Sequence, residues 1–354
     1  EPQATVQFVA TDIPVARVRH ELGQTFDVDG YLIGGTFGGR VGFELSSDGA
    51  GVVNASLDLA RAALAIPEIG WHKPAGAAGV ADAIIRLQGD HLSGTSELAL
   101  LAPGLDVGGT LRTSSKGETE TVSIHRMIAG RTNATGTIAR HTSGRWDIEL
   151  SGIALDLSPM LKSDEEKGRG AKPTGPSQFD NLPDFSLTAD LETLWLNTPD
   201  PVRALQATVV HEGGRWSLVQ MHGNLADHST VTMSIAPDDE GGRSVILEAD
   251  NAGEALRAFD VIGDVRGGTL EARGRFDDTD PLHPLTGRVK VRNFHVVNAP
   301  ILARLLSIMA VGGIRDALTG RGIAFAVFDM PFSLREEKLD ITDGRTFGWS
   351  LGIT

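Results

Sequence analysis

The run Gly348-Trp349-Ser350-Leu351-Gly352 has the G-x-S-x-G spacing of a nucleophile elbow, where a strained turn exposes a serine for acyl transfer. That chemistry needs a helix after the turn, then an acid and a histidine further along. Here the chain stops at Thr354 and the flanks alternate like a strand, so no nucleophile is expected. His20-Glu21 and His211-Glu212 begin like H-E-x-x-H, yet neither has the second histidine one helical turn on. The other histidines are scattered, mostly beside Gly or Asp, which argues against a histidine-ligated metal. Gly34-Gly35-Thr36-Phe37-Gly38-Gly39 is glycine-rich, but no helix follows to offer its N-terminus to a phosphate. The acid pairs Asp238-Asp239 and Asp277-Asp278 read as solvated turns. Asn54-Ala55-Ser56 and Asn133-Ala134-Thr135 fit a glycosylation sequon by spacing alone. The expectation is a non-enzyme with no catalytic residue, no metal and no cofactor.

Composition narrows the partners. The 354 residues carry a net charge of −14, which opposes nucleic acid and anionic headgroups alike. Cysteine is absent, which removes disulfides, iron–sulfur clusters and a thiol nucleophile. Apolar residues make up 41%, enough to drive folding, so disorder throughout is excluded. No apolar run reaches the ~18 residues of a spanning helix, and no signal peptide is visible. The chain starts at Glu1 and ends inside an alternating run, so it reads as an excerpt of something longer.

The dominant period is two. Leu98/Leu100, Val122/Ile124, Trp146/Ile148/Leu150, Val231/Met233/Ile235, Val245/Leu247/Ala249 and Leu270/Ala272 each alternate with polar neighbours. Alternation of this kind predicts strands with one apolar face. Gly-rich pairs such as Ser143-Gly144, Gly213-Gly214 and Gly241-Gly242 punctuate them as hairpin turns, giving roughly 16 to 20 strands. Two kinds of repetition stand out. His141-Thr-Ser-Gly144-Arg-Trp146 returns as His211-Glu-Gly-Gly214-Arg-Trp216. Asp58, Asp156 and Asp250, roughly 95 residues apart, each end a strand before a short Leu-bearing segment. Asp there suits a helix N-cap, the clearest helix being 252–259.

Four regions follow: a β-repeat region 1–162; a flexible, charged, Gly/Pro-rich loop or linker 163–184; a second β-repeat region 185–298 with the short helix near 252–259; and 299–354, with an apolar helix and terminal strands. The apolar helix runs from Ile301 after Pro300, with Arg304, Ser307 and Arg315 on one stripe. It suits a core helix on the sheet, a gate over an apolar groove, or a membrane-surface contact.

The last hundred residues carry a family resemblance. Gly253–Phe259, Asp264–Leu270, Leu285–Val291, Phe294–Leu306, Leu318–Phe325 and the terminal Gly348–Ile353 together resemble the C-terminal region of AsmA-like proteins and are similar to their YhdP branch. Ile66–Gly76 resembles long Gram-negative members. The resemblance implies an elongated curled antiparallel sheet of repeated hairpins forming an apolar groove, with a few short α-helices. It implies a periplasmic place, anchored to the inner membrane by a segment outside this chain. It also implies phospholipid as ligand, possible outer-membrane components as further partners, and no nucleic acid. The positions expected to line the groove are Val231, Met233, Ile235, Val245, Leu247, Leu270, Phe276, Val289, Val291, Ile301, Leu305, Ile308 and Met309. The alternative is an elongated β scaffold for outer-membrane assembly, with the same faces closed between two sheets and no lipid bound.

Overall fold

The computed structural model describes residues 4–22, 30–161, 182–196, 198–297, 322–335, 338–341, 345–347 and 352–353. The chain divides into two compact units, Glu1–Gly175 and Pro176–Thr354. As alternation demands, both are built from antiparallel strands joined in chain order.

The first unit contains β1 (Ala4–Pro14), α1 (Val15–Leu22), β2 (Leu32–Leu45), β3 (Ala50–Asp58), β4 (Ala62–Ile66), β5 (Trp71–Lys73), β6 (Val80–Gln88), β7 (His91–Leu92), β8 (Gly94–Ala102), β9 (Leu105–Thr113), β10 (Thr119–Ala129), β11 (Thr132–Arg140), β12 (Trp146–Asp156) and a helical turn α2 at 158–161. The main ladder is β1-β2-β3-β6-β8-β9-β10-β11-β12. Paired residues share a face. One row therefore reads Phe8, Val41, Ala55, Ala83, Leu98, Gly109, Ile124, Gly136 and Leu150. The adjacent row on the opposite face reads Gln7, Gly42, Asn54, Ile84, Glu97, Thr110, Ser123, Thr137 and Glu149.

The second unit contains β13 (Phe185–Trp195), β14 (Val202–Glu212), β15 (Arg215–Asn224), β16 (Thr230–Pro237), β17 (Arg243–Ala249), α3 (Ala252–Ala258), β18 (Val265–Phe276), β19 (Leu285–Val296), β20 (Ile323–Arg335), β21 (Lys338–Ile341), β22 (Arg345–Phe347) and β23 (Gly352–Ile353). From β13 to β20 each strand pairs with the next. Among the described residues no pairing joins β20 back to β13, so this sheet is not a closed barrel.

Glycines show which way the sheets bend. A Cβ on Gly39, Gly109 or Gly152, all on the apolar face, would lie 2.3, 2.4 or 2.5 Å from a carbonyl oxygen of the neighbouring strand. Gly287, on the apolar face of the second unit, meets the same obstacle at 2.4 Å. Gly42 and Gly108 point to the other face and meet nothing closer than 3.8 Å; Gly38, beside the β1 irregularity, meets Ala10 O at 3.1 Å. The strands thus crowd together on the apolar side, and each sheet curls toward it, as glycine kinks allow. Gly109→Ala should cost about 1–3 kcal/mol by overpacking, against near-neutrality for Gly42→Ala, as read by urea melts.

The irregular elements sit at one edge of each sheet, and the other edge is tight turns. In the first unit, Leu32–Gly35 of β2 pair with β4, which pairs with β5. This small second ladder, built partly from the Ile66–Gly76 motif, lays Trp71 on Leu105 and Ala129, and Trp71 Nε1 donates to Pro103 O at 2.9 Å. Lys73 is buried there, its Nζ donating to Leu59 O and Ala62 O at 2.6 and 2.7 Å. Burial lowers its pKa, and the charge of Asp58 partly opposes that.

The three aspartates play different parts. Asp156 accepts from the Ser158 backbone at 3.0 Å just ahead of α2, but it stands one residue before the cap position, Leu157, whose carbonyl accepts from Leu161 N. Asp58 accepts from Ala60 N, but a turn into β4 follows and no helix forms. At the third site the cap of α3 is Asn251, whose side chain accepts from Glu254 N at 3.1 Å. Asp250 instead accepts from the Thr230 hydroxyl and backbone. Asn251 also donates to Asp227 at 2.6 Å, so Asn251→Ala should lose about 1–2 kcal/mol in a thermal melt.

The two His-to-Trp motifs also diverge. His141–Arg145 form a longer loop between Arg140 and its partner Trp146, with His141 exposed. In the second, Glu212 pairs with Arg215 around Gly213-Gly214, whose φ angles of 58° and 76° suit a tight hairpin. His211 falls on the apolar face with Val209 and its partner Phe185, where it is buried and stacks on Phe185 at 5.6 Å; the register shift beside it skips Ser217 on the neighbouring strand. The loop expected at 163–184 and the apolar helix from Ile301 fall largely outside the described residues.

Candidate functional site: the apolar sheet faces

Of the thirteen positions expected to line a groove, nine are described, and the register places all nine on one face of the second unit. Met233, Leu247 and Val289 lie in one row, Ala189-Ala207-Met221-Met233-Leu247-Ala272-Val289-Met330. Ile235 and Val245 lie in the next, with Leu187, Val209, Val219 and Phe332. Val231, Leu270 and Val291 share a third row with Ala249 and Phe328, and Phe276 stands in a fourth beside Leu285 and Leu334. Ile301, Leu305, Ile308 and Met309 lie outside the described residues.

These positions are not equally accessible. Val231, Ile235, Leu270 and Val291 are buried, at 0 to 6% exposure. The row of Val231, Leu270 and Val291 runs toward the edge where α3 packs on β18 and β19, with Ala252, Ala255 and Ala258 buried; Ile235 is buried in the row on the other side of the middle one. A Cβ on Gly253 would lie 2.6 Å from Val265 O, so the helix sits directly on backbone. Met233, Val245, Leu247, Phe276 and Val289 are only half-buried. The open part of the face is therefore its middle. Apart from rim elements such as α3, the described strands contact chiefly their ladder neighbours, so no second layer of described residues covers that middle.

Alternation alone pointed to Met233 and Leu247 but passed over Val219, Met221, Met330 and Phe332, which the same register brings beside them. It also passed over the matching face of the first unit. There Phe8 and Leu98, in the row given above, are 60% and 50% exposed. A contiguous apolar face this exposed is a candidate interaction surface. Not every exposed apolar residue belongs to it: Val80, Leu101 and Ile128 stand on the opposite face.

Polar chemistry gathers at the tight-turn edge of the second unit and serves structure. Arg243, buried, donates to both oxygens of Asp278 at 2.8 Å and to Trp216 O at 2.5 Å, with its guanidinium 4.2 Å from the Phe276 ring centroid. Those hydrogen bonds hold the Asp278 carboxyl below the usual carboxylate range, against its burial. Among the described residues no three His, Asp or Glu side chains group as metal ligands. What the arrangement offers chemically is a surface: a curled, single-layer sheet with an aliphatic inner face and polar back. Comparison with protein-family models, curated proteins and solved structures finds no match to this chain.

Proposed function

We propose that the apolar faces hold phospholipid acyl chains without converting them, in a lipid-transfer segment of a Gram-negative envelope protein of the AsmA-like, YhdP-like type. In this reading the full-length protein is anchored in the inner membrane, stands in the periplasm and passes lipid toward the outer membrane. The observation that carries it is the half-exposed aliphatic middle of a sheet that curls toward its own apolar side. Burial contributes ~0.8 kcal/mol per CH₂, so a sixteen-carbon chain exposed to water costs on the order of 12 kcal/mol. A strip of Met, Leu and Val offsets most of that cost and leaves the headgroup in water.

The dimensions agree. An acyl chain fills half of a ~30 Å hydrocarbon core. Lying across strands ~4.8 Å apart, it touches about three of them. Met233, Leu247 and Val289 lie within four consecutive strands of one row, which is enough floor for one chain. Met221, Met233 and Met330 add soft side chains that adapt to chains of different shape. The motif resemblance over residues 250 to 354 points the same way.

The test is lipid mass spectrometry on protein purified from a bacterial host without excess detergent. Co-purified phospholipid at stoichiometric level supports acyl binding. A well-folded, lipid-free protein sinks it and leaves the scaffold reading.

A further inference from the structure

Behind the apolar face, the polar face of the second unit changes character half-way across. On β17–β20 its charged side chains are tied to each other. Arg273 bridges Glu248 and Glu271, Arg292 also reaches Glu271, and Arg288 and Lys290 meet Asp329. On β13–β16 the same face carries two cross-strand rows, Thr188-Thr208-Gln220-Ser234 and Asp190-Gln206-His222-Thr232. Only Asp190 is formally charged at neutral pH, and none of these side chains is tied to another group among the described residues. All but Thr232 line a shallow depression of about 570 Å³, together with the intervening residues Ala189, Ala207, Met221 and Met233. A strongly twisted sheet is saddle-shaped, so its polar side dips as well.

We infer that this depression binds a neutral polyhydroxylated ligand, a glycan strand laid across β13–β16. Hydroxyl and amide side chains both donate and accept, as sugar hydroxyls do, and Asp190 adds a pure acceptor. Strand spacing and side-chain alternation set these groups on a lattice of ~4.8 by ~6.8 Å, suited to a repeating chain of hydroxyls. Charge selects against the other polymers: a chain of net charge −14 with no unpaired cation in the depression repels nucleic acid. A protein partner would need aromatic, Met or Arg anchors, and on this face the two rows present none. With no ring to stack on, the glycan is held by hydrogen bonds alone, and binding is weak. This site lies on the face opposite the proposed acyl surface and stands or falls independently of it.

The experiment is an NMR titration of the full chain, threonine methyls labelled, with cellohexaose and chitohexaose. Saturable shifts are expected at Thr188 and Thr208 with either sugar, and none at Thr286, on the same face beyond the patch. A Gln206→Ala/Gln220→Ala variant should bind about tenfold more weakly at unchanged melting temperature. The inference is overturned by a titration without shifts, by shifts spread evenly over all threonines, or by unchanged affinity in a double variant that melts like wild type. Should that variant fail to fold, the wild-type titration decides alone.

Discussion

A Leu247→Asp variant is expected to leave purification folded but stripped of phospholipid. Leu247 stands mid-row, opposite Met233 on one side and Ala272 on the other, and is half-buried. A carboxylate there stays hydrated while the face is empty, so folding tolerates it. Once an acyl chain lies over it, that carboxylate loses its water without gaining a partner, at a cost of several kcal/mol. The chain also loses the burial of the three or four methylenes that Leu247 would cover, at ~0.8 kcal/mol each. Together these lower affinity by at least about a hundredfold. Thr208→Asp is the control, since Thr208 stands on the polar face between Thr188 and Gln220. It adds the same charge and should keep its lipid. Equal lipid in both variants, measured by mass spectrometry on samples with wild-type circular dichroism, would count against acyl binding on this face.

The strands themselves were readable because each carries its period of two in the chain. Val231-x-Met233-x-Ile235 and Val245-x-Leu247-x-Ala249 are strands for that reason and pair in the expected antiparallel sense. The same period hid what matters for access. Val231, Met233 and Ile235 share one face, so alternation cannot tell the buried Val231 from the half-open Met233. That difference comes from α3 at the sheet edge and from curl, and both are tertiary. Curl was expected from the family resemblance and not from alternation: Gly109 and Gly108 are neighbours with opposite spatial constraints, and only the register says which one faces the crowded side. The cap at α3 went to Asn251 and not Asp250 because Asp250 is held by Thr230 on the neighbouring strand, a contact no local pattern encodes. The second ladder formed by β4 and β5 was likewise missed, since three- to five-residue strands leave little periodicity to read.

The largest stability loss is expected from Arg243→Ala. This guanidinium ties three strands and a turn together: β17, which bears it; β15, through Trp216 O; β18, through the Phe276 ring; and the β18–β19 turn, through Asp278. Its removal leaves the Asp278 side chain, 10% exposed, with only the His283 ring at 3.1 Å and Arg215 at 3.9 Å. Breaking a buried pair from one side costs about 3–5 kcal/mol, because the surviving charge is left uncompensated. For a unit of this size that is a drop of roughly 10 °C in melting temperature. The effect has a pH signature. Arg243 holds the Asp278 pKa below its unfolded value near 3.9, so the ionised pair stabilises the fold fully above that value. That stability is lost as pH falls through the lower folded value. The gap between wild type and Asp278→Asn, which cannot ionise, should therefore be widest near neutrality and shrink below about pH 4. Urea melts at several pH values measure it. A gap that stays constant from neutral to acid pH would mean that Asp278 contributes by shape and hydrogen bonding, and that its charge adds nothing.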